Sequence, residues 1–236
     1  RQGNCLGIVG ESGSGKTTIA KMLLGIEIPT AGIINVAGRD RSIPARGSSE
    51  RRKRGRELQM VFQDPYTSLD PRQTGWSCLR EVIQLHFPDQ TRSQVESRIL
   101  ELGSQVGLST EQLRVRPNSL SGGQRQRVAI ARALASEPQA IILDEAVSGL
   151  DVSIQAQILN LLMDIKRETG VAYLFISHDL AVIRQMAGYV IVMESGRVVE
   201  EGETARVLDQ PKENYTRMLR ESVPGPGWSP KRRNLA

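Results

Sequence analysis

Residues 10–17 read Gly10-Glu-Ser-Gly-Ser-Gly15-Lys16-Thr17, the pattern G-x-x-x-x-G-K-[ST], set just after an apolar run at 5–9 and just before a helical run at 19–24. No other feature limits the fold as strongly, because the pattern works only as a buried strand, a tight loop and a helix start in that order. The glycines let successive backbone N–H groups turn inward, and the helix N-terminus adds partial positive charge to the same concavity. Such a cradle suits a polyphosphate. Gly10, Ser12, Gly13, Ser14 and Gly15 are expected to form its wall. Lys16 is expected to meet the β- and γ-phosphates, Thr17 to bring its hydroxyl to Mg²⁺, and Thr18 to reach the α-phosphate. The bland alternative, a glycine turn with no ligand, leaves the flanking strand and helix unexplained.

The rest of the chain continues that theme. Short apolar runs at 5–9, 33–36, 58–62, 140–143, 172–176 and 189–193 alternate with helical patterns, which predicts an α/β fold around a largely parallel buried sheet. Between 68 and 137 the strand-like runs disappear and the pattern turns helical, at 78–85, 93–106 and 122–135. This predicts a helical insertion, with the α/β core built from 1–67 and 138–222. Ile154, Ile158, Leu161, Leu162 and Ile165 share one face of a further helix and read as plain core packing. The tail at 223–236, rich in Pro and Gly and then basic, is expected to have little fixed structure.

With 236 residues, 39% of them hydrophobic, the chain is long enough for one large domain or two small ones. No apolar stretch approaches the ~20 residues that span a bilayer, and the first residues do not read as a secretory signal. A peripheral, cytoplasmic protein is the expectation. Cys5 and Cys78 are the only cysteines and lack metal-ligand spacing, so reduced thiols are expected. The net charge of +5 is concentrated around 46–56 and 231–233. Both runs read as solvated loops beside a membrane, since neither is interleaved with stacking aromatics.

Ile141-Ile142-Leu143-Asp144-Glu145 is an apolar strand ending in adjacent carboxylates, where the C-terminal edge of a parallel sheet places ligands. Alternation points the two side chains apart. Asp144 is the choice for Mg²⁺ and Glu145 for polarising an attacking water. Leu120-Ser121-Gly122-Gly123-Gln124 opens the next helical run, with Ser121 and Gln124 spaced as a capping box. That does not explain two glycines in a first turn, where each costs up to ~1 kcal/mol against alanine. Close approach by something large, such as a second phosphate site at a helix start, accounts for them.

With this LSGGQ string in place, the chain resembles the ATP-binding cassette (ABC) ATPases over nearly its whole length. The resemblance implies a P-loop, RecA-like core with an inserted ABC-type helical subdomain, binding ATP and Mg²⁺. It further implies head-to-tail pairing with a second cassette, identical or paralogous. Ser121, Gly122, Gly123 and Gln124 would then serve the partner's nucleotide. Gln63 matches the family's glutamine that senses Mg²⁺ and the attacking water. Ser148-Gly149-Leu150-Asp151 matches the loop crossing the dimer interface, and His178 matches the switch histidine at the γ-phosphate. His86 has no such support and reads as packing or surface.

Within the family, Val61-Phe62-Gln63-Asp64-Pro65-Tyr66-Thr67-Ser68-Leu69-Asp70-Pro71-Arg72, together with residues 144–157, resembles the oligopeptide, dipeptide and nickel importer group. Transmembrane permease subunits, and through them an extracytoplasmic solute-binding protein, are the implied partners. The implied place is the cytoplasmic face of the inner membrane. An exporter ATPase is the alternative, and a non-transport ABC protein acting on nucleic acid a more distant one. The usual N-terminal antiparallel strands, with an adenine-stacking aromatic, do not precede Gly10. A truncated product, or the C-terminal cassette of a fused pair, is expected from that. No cysteine cluster follows Cys78, so no iron–sulfur site is expected.

Overall fold

In the computed structural model, residues 4–64 and 68–222 are described; Pro65, Tyr66 and Thr67 of the importer-like string and the predicted flexible tail at 223–236 lie outside them. The chain is a mixed α/β protein that divides into two compact units. One comprises Asn4 and residues 17–174, the other residues 5–16 and 175–222 of the described chain.

In the first unit, β4 (Leu58–Val61) runs parallel to β5 (Ala140–Asp144), with Val61 opposite Leu143. Strand β5 reads Ala-Ile-Ile-Leu-Asp and is buried along most of its length, as continuous apolar composition requires of a parallel strand covered on both faces. The predicted helices are present with small shifts of their ends: α3 (Gly75–His86), α4 (Arg92–Gln105) and α6 (Gly122–Leu134), with short α5 (Thr110–Arg114) between the last two. Thr91 and Ser109 each open their helix with a reciprocal capping box. Helix α7 (Val152–Thr169) buries Ile158, Leu159, Leu162 and Ile165, so Leu159 replaces Ile154 and Leu161 in the fully buried stripe. Gly170, left-handed at φ 69°, stops it.

Two expectations in this unit are corrected. The apolar run at 33–36 is not a sheet strand: Ile33 is 82% exposed, and only β2 (Asn35–Val36) pairs, antiparallel, with β3 (Arg39–Asp40). Ala37 and Gly38, both at positive φ, make the two-residue turn that folds this segment into a hairpin. The basic stretch at 46–56 is not a loop but helix α2 (Gly47–Glu57). It has no apolar stripe, and charge pairing holds it. The Arg54 guanidinium reaches Glu50 one turn back at 2.6 Å, and Arg41, 1% exposed, donates to Glu57 at 2.5 Å. Arg39 shares the same Glu57 carboxylate. Burial pulls the Arg41 pKa below its ordinary value while Glu57 opposes the shift, as expected of a charge removed from water and paired in one geometry.

In the second unit, β1 (Cys5–Val9) runs parallel to β7 (Tyr189–Glu194), and β8 (Arg197–Glu203) returns antiparallel along β7 with a register shift between Val192 and Met193. Helix α8 (Leu180–Met186) starts at Asp179, whose carboxylate accepts from the Ala181 and Val182 N–H groups, and packs on β1. The last described elements are α9 (Thr204–Asp209) and α10 (Asn214–Ser222). Strand β6 (Ala172–Ile176) straddles the division. Its Tyr173 N–H donates to Asn4 in the first unit, and the Ser177 N–H that follows it donates to Ile8 in the second.

Candidate functional site

Residues 10–16 of the second unit form the loop that follows β1. Val9 ends β1 and Gly10 follows at φ 155°, a backbone region reserved for glycine. A Cβ there would sit 2.2 Å from the Met193 carbonyl oxygen, so the loop leaves its strand pressed against β7. Ser14 is buried, and its carbonyl accepts from the Gly196 N–H at 3.1 Å. Ser12 and Gly13 are exposed at the tip. Lys16, 8% exposed, folds back over the loop, its Nζ donating to the carbonyls of Gly10 and Glu11 at 2.8 Å each and to Ser14 Oγ at 3.3 Å. A buried ammonium is thus held by oxygens that a competing anion can replace. His178 follows β6 and is exposed, and the Asp179 N–H behind it bonds Ser177 Oγ at 3.0 Å.

The first unit holds the hydroxyl and carboxylates. Helix α1 (Lys16–Leu24) presents Thr17, whose Oγ1 donates to Asp144 Oδ2 at 2.9 Å. The loop threonine and the carboxylate that ends β5 therefore meet, 127 residues apart in sequence. Asp144 is 6% exposed. Glu145 is more open and sits at φ 51°, an uncommon conformation for a non-glycine residue. Its carbonyl is pinned by the Ser148 N–H at 3.0 Å and Ser148 Oγ at 2.8 Å. The strained backbone turns Glu145 away from the strand direction Asp144 follows, so the adjacent carboxylates occupy different surroundings. Thr18 and Gln63 are exposed in the same unit.

Hydroxyl and carboxylate oxygens are the donors Mg²⁺ prefers, and Mg²⁺ takes only one or two protein oxygens beside phosphate and water. Thr17 and Asp144 fit that need. No group of three or more His, Cys, Asp and Glu side chains among the described residues could hold a metal by itself.

Ser121 caps α6 as predicted: its Oγ accepts from the Gln124 N–H at 3.3 Å, and Gln124 Oε1 accepts from the Ser121 N–H at 2.8 Å. The glycines after it have a use inside the chain that their sequence does not disclose. A Cβ on Gly123 would lie 2.7 Å from Ile154 Cγ2, and one on Gly122 would lie 3.5 Å from Leu150 Cδ2. The helix start at Ser121 therefore packs against the turn before α7, where Asp151 is exposed as N-cap. Gly123→Ala is expected to cost about 1 kcal/mol, overpacking against a stiff β-branched side chain exceeding the helix-propensity gain. Gly123→Ala/Ile154→Ala should recover the melting temperature of Ile154→Ala alone. A double variant no more stable than Gly123→Ala would show that the steric account is wrong.

A groove of about 710 Å³ opens in the first unit, with Ile26, Phe62 and Leu85 exposed along it and His86 and Arg132 also in its wall. His86 is half-buried, its Nδ1 has no hydrogen-bond partner among the described residues, and burial, with Arg56 and Arg52 adding repulsion, lowers its pKa. The folded protein therefore holds His86 neutral where the unfolded chain binds a proton. Stability present above about pH 6.5 is lost as pH falls from there toward the lowered folded value. His86→Gln should flatten this acid-side slope in urea unfolding, and an unchanged slope would assign it to other groups.

Tyr215, buried in α10, lies outside every sequence motif, yet its hydroxyl accepts from the Glu11 N–H of the loop at 2.9 Å. No motif marks it; a pairing 204 positions apart has no local signature.

Residues 1–148 match the ABC transporter family. Over 226 residues the chain is 46% identical to the oligopeptide transport ATP-binding protein OppD of Mycobacterium tuberculosis, covering 96% of this chain and 36% of that protein. Against the di/tripeptide transport ATP-binding protein DppF of Pseudomonas aeruginosa it is 43% identical, covering 94% of this chain and 68% of that one. The chain spans about a third of the length of the first curated relatives it matches. Among solved structures, the dimeric, post-hydrolysis ATP-binding cassette MJ0796 bound to ADP and Pi superposes with a TM-score of 0.76 at 29% identity, over 86% of this chain and 87% of that one.

Proposed function

The chain belongs to the ABC transporter ATP-binding family, and from that premise we propose that it binds Mg-ATP and hydrolyses it to drive an importer for peptides or a related small solute. The observation that carries this reading is the pairing of Lys16, held across its own loop by the Gly10 and Glu11 carbonyls, with the Thr17–Asp144 contact that follows it in the chain. The relatives named for oligopeptide and di/tripeptide transport support the importer class.

In this mechanism the loop N–H groups and Lys16 bind the β- and γ-phosphates, Lys16 exchanging loop carbonyls for phosphate oxygens. Thr17 and Asp144 would hold Mg²⁺, which would supply neutralisation of phosphate charge. Glu145 accepts a proton from the attacking water, Gln63 orients that water, and His178 contacts the γ-phosphate. Ser121, Gly122, Gly123 and Gln124, with Asp151, close over the nucleotide of a second cassette, head to tail. The helical segment 68–137 acts as a separate subdomain, and a permease helix docks in the groove beside Phe62 and Leu85. The site of action is the cytoplasmic face of the membrane, with the solute-binding protein engaged only through the permease and no nucleic acid involved. No helix among the described residues is long and apolar enough to cross a membrane.

Purified protein should turn over ATP in a Mg²⁺-dependent manner and stimulate solute uptake when reconstituted with its permease. Binding without turnover in the complete transporter would exclude the ATPase reading. Solute export from the same vesicles would favour the exporter alternative.

A further inference from the structure

We infer that Tyr215 is a positioning residue for phosphate binding, its hydroxyl fixing one of the two peptide units whose carbonyls hold Lys16. The inference rests on the nucleotide reading above and adds to it a residue that lies in no nucleotide motif.

The geometry is specific. The peptide joining Gly10 to Glu11 is engaged at both ends: its carbonyl accepts from Lys16 Nζ at 2.8 Å, and its N–H donates to Tyr215 Oη at 2.9 Å. Hydrogen bonds at the two ends of one amide polarise it in the same sense, so each strengthens the other. They also set the plane of that amide. Gly10 is the residue whose backbone is already confined by contact with β7, and the tyrosine adds a second constraint through the next N–H.

Tyr215 is itself held in place. It is 8% exposed, and burial raises its pKa, keeping the phenol protonated. The Glu200 carboxylate on β8 accepts from the Lys212 and Glu213 N–H groups at 2.9 and 3.3 Å, anchoring the approach to α10. Arg217 donates back to the carbonyls of Pro211 and Lys212 at 3.1 and 2.9 Å, and Arg220 to that of Asp209 at 3.0 Å. The helix start is thereby clamped to β8 and α9, and the phenol is carried to the loop on a rigid support rather than on a frayed terminus.

Tyr215→Phe removes the hydroxyl and keeps the ring. The KM for Mg-ATP is expected to rise roughly three- to tenfold, the effect of one lost hydrogen bond, with kcat within about twofold of wild type. In nucleotide-free protein, the Glu11 amide should exchange with deuterium faster. Leu219→Ala, on the same helix but retaining the hydroxyl, should lower the melting temperature and leave KM unchanged. The inference is overturned if Tyr215→Phe leaves KM unchanged, whatever happens to amide exchange. It is equally overturned if Leu219→Ala raises KM as much, since loosening of α10 and not the hydroxyl would then be the cause. Wild-type protein without affinity for Mg-ATP would instead remove the nucleotide reading, and this inference with it.

Discussion

Glu145→Gln should bind Mg-ATP within about twofold of wild type while turnover falls about 10²- to 10⁴-fold, the range lost when a positioned proton acceptor is removed. Glutamine keeps the shape and hydrogen-bonding length of glutamate but cannot take a proton at neutral pH. The substitution should also be quiet structurally. The unusual backbone at φ 51° is braced from the main chain, by Ser148 N–H and Oγ on the Glu145 carbonyl, and that brace does not involve the side chain being changed. With hydrolysis stopped and binding intact, two cassettes should remain closed around unspent nucleotide. Size-exclusion chromatography would then show a dimer with Mg-ATP and a monomer without it. Near-wild-type turnover in the variant would move the proton acceptor elsewhere, with His178 the first residue to substitute. Lost turnover without a dimer would retain the role of Glu145 but remove the head-to-tail model.

How much of this was legible in sequence depends on whether the deciding interactions are local. The loop from Gly10 to Thr17 was, because strand, glycines and helix start are contiguous. So was the Ser121–Gln124 capping box, whose spacing is its geometry. Strand β8 was not: Arg197-Val-Val-Glu-Glu-Gly-Glu has no apolar run, and as an antiparallel partner of β7 it is held by backbone pairing with little burial. Helix α2 is hidden in the sequence for a related reason. Arg51-Arg52-Lys53-Arg54 looks like a solvated charge run until Arg41, more than ten positions upstream, is found buried against Glu57. The hairpin at 35–40 hides behind the apolar Ile33 and Ile34, where the turn at Ala37 and Gly38 outweighs hydrophobicity. The glycine pair of LSGGQ shows the subtler limit. Close packing at Gly123 is made by Ile154 of the same chain, and a sequence pattern does not distinguish a neighbour within the fold from a ligand outside it.

Gly10→Ala should be the most destabilising single substitution in the phosphate loop, costing about 3–5 kcal/mol, as the sum of a glycine-only backbone and a collision with main chain. The added methyl would lie 2.2 Å from the Met193 carbonyl oxygen and 2.7 Å from Ser14 Oγ. Neither neighbour can yield easily. Strand β7 is paired on one side with β1, Val9 opposite Val192, and on the other with β8, Met193 opposite Val198. Ser14 is buried, and its Oγ is one of the groups holding Lys16. Displacing it would also disturb the ammonium, so affinity for Mg-ATP should fall with stability. Gly13→Ala supplies the contrast, since Gly13 is at φ 83° but no atom of the described residues lies within 4 Å of its would-be methyl. It should cost only about 1–2 kcal/mol, the price of the left-handed conformation alone. Urea unfolding of both variants separates the two contributions. A Gly10→Ala protein as stable as Gly13→Ala would mean that the loop can back away from β7, and the rigidity from which the proposed Tyr215 contact gains its leverage on Lys16 would be absent.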